Sequence, residues 1–184
     1  MDATDTRVVR WREVEGGGLE HLVMAARGDA ILFDGVVIPG GQDYAVEYHI
    51  ACTANWRVER VEAAIIGGQG SLLLEHDGRG HWKRNGRAAP SLDGVFEPDL
   101  SVSPLTNTFP IRRLGLSQGE SADIRTAYVS FPDFAVFADP QRYTCLEENR
   151  LYRYESRDSD FCRDIEVDAD GFVIDYPGLF RRME

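Results

Sequence analysis

Residues 103–113, SPLTNTFPIRR, contain no acid and no glycine. Two prolines bracket a Thr-Asn-Thr, and two adjacent arginines follow an apolar pair. If 109–116 is extended, Phe109, Ile111 and Arg113 share one face, and Pro110, Arg112, Leu114 and Leu116 share the other. Either face then carries an arginine inward among apolar residues. A buried guanidinium costs several kcal/mol unless it is paired or solvated. Asp99, a few residues upstream, is a candidate partner. Two outcomes stay open: a structural salt bridge under a loop, or a cationic, amide-lined mouth on an apolar cavity, with Asn107, Arg112 and Arg113 facing an amphiphile.

Other polar residues offer less. Asp99, set among small and apolar residues in EPDLSVSP, is the first candidate for a catalytic carboxylate, although a capping or Asx-turn role fits it too. VDADGFVID (167–175) begins like a calcium loop but turns apolar after Asp-x-Asp-Gly, so Asp170-Gly171 reads as a hairpin turn. His76 and His81 flank a DGRG turn without further ligands, and no His pair has the i, i+4 spacing of a zinc helix. The sequence contains no Gly-x-Ser-x-Gly and no Gly-x-x-x-x-Gly-Lys, so neither a nucleophile elbow nor a phosphate cradle is expected. No metal and no cofactor are called for. Cys52, Cys145 and Cys162 are odd in number and scattered, as reduced cysteines are.

The elements that must carry these groups are strands. YAVEYHIAC places Tyr44, Val46, Tyr48 and Ile50 on one face, and Ala45, Glu47 and His49 on the other. WRVERVEAAII continues this with a change of step near Arg60, which predicts a bulge. ADIRTAYVSF, FAVFA, NRLYRYES, FCRDIEVD and GFVIDYP read as further strands. Turn signals every 8 to 12 residues indicate an antiparallel meander, roll or barrel. LEHLVMAAR has helical spacing inside this series, and helix and strand both remain open for it; LDGVFEPDL reads as a loop or one helical turn. Trp11, Trp56 and Trp82 each adjoin a basic residue, which in a strand puts the ring inward and the charge outward.

At 184 residues with 43% hydrophobic content, one domain over 1–184 is the expectation. The formal charge of −11, from 31 acids and 20 bases, disfavours nucleic acid and anionic membrane surfaces. No run of about 18 apolar residues occurs, so no stable membrane insertion is expected. The opening MDATDTRVVRWREV has no apolar leader, and the expected location is cytoplasmic.

DGRGHWKRNGRAAPSLDGVFEPDLSVSPLTNTFPIRRL (77–114) resembles the signature of the bacterial putative glycolipid-binding proteins. The shared features are a Trp after a D-G-x-G turn, a Leu-x-Gly, an Asp-Leu, and a Pro-x-Thr-Asn-Thr-x-Pro-Ile-Arg-Arg; VVRWREV and the tail 141–182 extend the match over nearly the whole chain. The resemblance implies a mainly β fold with little helix, a single antiparallel sheet wound into a spiral β-roll or open barrel. It implies non-enzymatic binding of an amphiphile, a glycolipid, in an apolar cavity. Matching positions include Trp82, Asp99, Asn107, Arg112, Arg113 and Tyr154, and His81 beside them has the right type for a polar mouth. Two alternatives accompany it: a hydrolase using Asp99 and Asp168 as paired carboxylates, and a solid-cored structural or interaction protein.

Overall fold

The computed structural model describes residues 5–184; residues 1–4, part of the opening stretch read for a leader, lie outside it. Fifteen strands are seen among the described residues. They are β1 (Asp5–Glu13), β2 (Leu19–Arg27), β3 (Ala30–Ile38), β4 (Val46–Thr53), β5 (Val58–Ile65), β6 (Ser71–His76), β7 (Trp82–Arg84), β8 (Arg87–Ala88), β9 (Glu97–Leu100), β10 (Ser121–Val129), β11 (Val136–Glu147), β12 (Leu151–Ser156), β13 (Cys162–Val167), β14 (Val173–Tyr176) and β15 (Phe180–Arg182). One α-helix, α1 (Thr108–Leu114), lies between β9 and β10.

All strands join one sheet in the order β8-β7-β6-β5-β4-β3-β2-β1-β15-β14-β13-β12-β11-β10-β9. Each strand pairs with its chain neighbour except β8 and β9, and two further features stand out. The first and last strands, β1 and β15, pair antiparallel, and β9 lies parallel to β10. The short edges β8 and β9 do not pair with each other, so the sheet is not closed into a barrel. The sheet nevertheless curls, because Val9, Leu74 and Trp82 share one core with Leu100, Ala127 and Val129 from its other end.

Alternation explains most of this. In β4, Val46, Tyr48 and Ile50 are buried while Glu47 and His49 are exposed. The change of step near Arg60 is a register irregularity between β4 and β5. LEHLVMAAR resolves as a strand: it pairs along its whole length with β1 and β3, and these ladders outweigh the helix propensity of Met, Ala and Arg. LDGVFEPDL is split between a 3₁₀ turn ending at Leu92 and strand β9. Gly35 faces Tyr48 across the β3–β4 ladder, and a Cβ there would lie 2.1 Å from the Tyr48 ring. Only glycine lets that ring lie against the backbone and deliver its hydroxyl to Glu20.

The extended conformation considered for 109–116 is not what the chain adopts. Residues Pro104–Asn107 form a 3₁₀ turn, and Thr108–Leu114 form α1. Ser103 caps the turn by accepting from the Leu105 N–H at 3.1 Å. Pro110 sits in the first turn of α1, where a missing N–H costs nothing. Gly115, at φ 52°, stops the helix, and the two arginines lie in its last turn, where cations suit the dipole.

This segment fills the interior that the hollow-roll expectation left open. Leu105 and Phe109 are buried in the core of β1–β6, with Phe109 packed edge-on against Phe33 at 5.5 Å. Two residues on, Ile111 enters a second core with Tyr143, Cys145, Tyr152, Ile165 and Val173. The short helix therefore separates two apolar clusters of one sheet.

Candidate functional site

At the second cluster the sheet's inward face changes from packed to open. Along β11, Phe137, Asp139, Gln141, Tyr143 and Cys145 point the same way. Phe137 is 46% exposed and Gln141 is fully buried, so this face runs from rim to core within a few residues. Ladder pairing adds Tyr128 opposite Phe137, Asp99 beside Tyr128, Ser156 opposite Gln141, and Tyr154 opposite Tyr143. The result is a cleft of about 390 Å³ lined by Asp99, Asn107, Tyr128, Phe137, Asp139, Tyr154, Asp158, Phe161 and Tyr176, with Ser101, Ser103, Leu179 and Phe180 among its other residues.

Aromatic rings form its walls. Tyr154, Phe161 and Tyr176 are mutually packed, with centroids 5.8 to 6.3 Å apart. Tyr128 and Phe137 form a second group at 5.1 Å. Burial raises the Tyr154 and Tyr176 phenols above their usual range, so both stay protonated.

The floor is polar and closely tied. Gln141 Nε2 donates to Asp99 Oδ2 at 2.7 Å and to Asp139 Oδ2 at 2.8 Å, so these oxygens lie within 5.5 Å of each other, the sum of the two contacts. Thr106 donates to Asp99 Oδ1 at 3.1 Å. Burial raises the Asp99 carboxyl; Gln141 and Thr106 oppose this, and Asp139 adds repulsion. Asp139 is raised in the same way by burial, against its bond from Gln141, with Asp158 repelling it. Asn107 is fixed by donating to the Pro104 carbonyl at 3.3 Å and accepting from the Tyr143 hydroxyl at 2.9 Å.

Directly behind Ser103 lies a buried acid. Glu20, 4% exposed, accepts from the Ser103 hydroxyl at 2.7 Å and from Tyr48, while its Oε2 has no partner. Burial pushes its carboxyl up to about 7, against the lowering effect of both hydrogen bonds.

The residues singled out in the sequence do not converge. Asp99, Asn107 and Tyr154 line the cleft. Arg112 and Arg113 belong to separate depressions. Arg112 stacks on Trp56 at 3.9 Å and donates to the Asp170 carbonyl at 2.7 Å. Arg113 pairs with Glu97, not with Asp99; the two acids share one face of β9, and Asp99, two residues further along, is taken by Thr106 and Gln141. Trp82 is buried against His76 and donates to the Val95 carbonyl at 2.9 Å; His81 is exposed and bonded to Asp77. Asp168, the proposed carboxylate partner of Asp99, is absent from the cleft lining and bound by Arg7 and Arg182. Its carboxyl is lowered: burial alone would raise it, and the two guanidiniums outweigh that. Asp170-Gly171 is the hairpin turn expected, with Gly171 at φ 85°. Among the described residues no group of three or more His, Cys, Asp or Glu could hold a metal, and no helix is long and apolar enough to cross a membrane.

Asp139, Asp158, Tyr128, Phe137 and Gln141 were missed. The available signal was period two along VFADPQRYTC, obscured by Pro140.

Comparison with known proteins agrees with the architecture. A crystal structure of a DUF1089 family protein from Pseudomonas aeruginosa is 34% identical, with a TM-score of 0.71, over 100% of this chain and 94% of that one. No curated protein matches the chain. The model of the family described as "Putative glycolipid-binding" matches residues 8–182, and the chain belongs to that family.

Proposed function

We propose that the chain binds the sugar head of a glycolipid in the cleft of β9–β14. The observation that carries this reading is the pairing of two aromatic groups with a fixed set of acceptors. A pyranose offers apolar C–H faces to aromatic rings and hydroxyl donors to carboxylates, and such sites combine apolar walls with a few placed polar groups. Phe137 and Leu179, 46% and 37% exposed, lie at the same cleft and would cover the first methylenes of the lipid. With the β1–β6 interior filled by Leu105 and Phe109, the remaining acyl chain would stay outside the fold.

Binding is favoured over hydrolysis by the position of Gln141. A glycosidase needs its carboxyl pair to face a scissile bond or a water between them. Here the Gln141 amide sits between Asp99 and Asp139 and bonds both.

The test is calorimetric titration with octyl β-glucoside below its micelle concentration. Saturable binding that weakens in Asp139→Asn and Phe137→Ala variants of unchanged melting temperature supports the proposal. Absence of binding through the millimolar range to neutral and charged octyl glycosides alike overturns it.

A further inference from the structure

We propose that the headgroup taken by this cleft carries an ammonium group, as an amino sugar does; this rests on the glycan reading above. Many of the protein's other sheet carboxylates are matched with guanidiniums. Asp123 pairs with Arg142 and Arg157, Asp164 with Arg153, Asp175 with Arg181, Asp168 with Arg7 and Arg182, and Glu97 with Arg113. The cleft groups three acids that are not matched in this way. Asp99, Asp139 and Asp158 are met there only by neutral donors: Thr106, Gln141 and Ser156. Among the described residues no Lys, Arg or His lines the cleft. Arg163 stacks on the wall residue Phe161 at 4.7 Å, but its guanidinium is engaged by the Cys162 and Pro177 carbonyls.

Three carboxylates beside one another therefore lack a countercharge, and aromatic faces stand next to them. A desolvated ammonium is attracted by both, through charge and through the ring quadrupole. The amide oxygen of Gln141, buried behind the two aspartates without a partner, adds to the negative potential. An anionic head meets repulsion from the same groups, so the arrangement discriminates by sign.

The experiment compares four ligands of one chain length by calorimetry: octyl glucoside, its protonated 2-amino analogue, octyl glucuronide and octylamine. The expected order is amino glycoside about tenfold tighter than glucoside, with glucuronide weakest. Asp158→Asn, at an exposed turn position, and Asp139→Asn should each bring the amino-to-neutral ratio toward one. Equal binding of glucoside and amino glycoside overturns the ammonium inference and leaves the glycan reading intact, as does preference for the glucuronide. Octylamine binding as tightly as the amino glycoside means the sugar contributes nothing; the glycan reading then fails, and the inference about its headgroup with it. No binding of any ligand removes both.

Discussion

The concave face of β1–β6 and that of β9–β14 belong to one sheet and obey the same alternation, yet they end differently. On the first side the inward positions are Trp11, Leu22, Phe33, Ile50, Val61 and Leu74, and residues 104–109 close over them. On the second they are Tyr143, Tyr152, Tyr154 and Tyr176, with Asp99 and Asp139 lining the open end. Mostly apolar faces gain most by excluding water. Faces carrying phenols and carboxylates lose less by staying open, because each polar atom would need a partner if covered. The same chain thus builds a closed apolar core and an open cleft with a polar floor, divided by one short helix.

The strongest challenge to this division is Phe109→Ala. It removes a ring buried against Phe33, and a Phe-sized cavity should cost about 3–5 kcal/mol in chemical denaturation. If octyl glucoside affinity, measured well below the unfolding transition, falls in parallel with stability, the two regions are one cooperative site and the division is wrong.

Glu20 lies on the boundary and gives a pH signature. Its carboxyl is raised from 4.5 to about 7 in the folded state, so the folded protein holds this proton more tightly than the unfolded chain. The resulting stabilisation is complete below pH 4.5 and lost as pH rises to about 7. Its size is about 3 kcal/mol. Asp99 and Asp139 slope in the same direction, so the measurement is the difference between wild type and Glu20→Gln across that window. A constant difference would mean that Glu20 is ionised throughout.

How far each region could be read from sequence follows from how local its determinants are. β4 was legible because Tyr44, Val46, Tyr48 and Ile50 show strict period two. β2 was ambiguous because VMAAR favours a helix in isolation, and only its two ladder partners decide against one. Residues 109–114 fit period two as well as a helix, and only Pro104, Pro110 and Gly115, which mark a helical start and stop, distinguish the two. The cleft was nearly invisible. Asp99, Asp139 and Asp158 come from β9, β11 and the β12–β13 turn, and meet only because β9 lies parallel to β10 while β10–β12 are in register. No local pattern encodes that meeting. The family motif led to Asp99 and Asn107, but it also led to Arg112 and Arg113, whose partners lie elsewhere.

The smallest expected effect separates a rim from a hollow. Phe137 pairs with Tyr128 at the cleft edge and is nearly half exposed, so Phe137→Ala should change stability by no more than about 0.5 kcal/mol. Its ring offers apolar surface to an alkyl chain leaving the headgroup. With wild type, affinity for alkyl glucosides should rise by about 0.8 kcal/mol per methylene over the first few carbons and then level off. Levelling follows because the β1–β6 interior is filled and the chain has nothing further to cover it. In Phe137→Ala the plateau should come earlier, and octyl glucoside should bind about fivefold more weakly, a loss near 1 kcal/mol. Affinity that climbs steadily to dodecyl would mean that residues 104–109 yield to the ligand and the two regions open into one cavity.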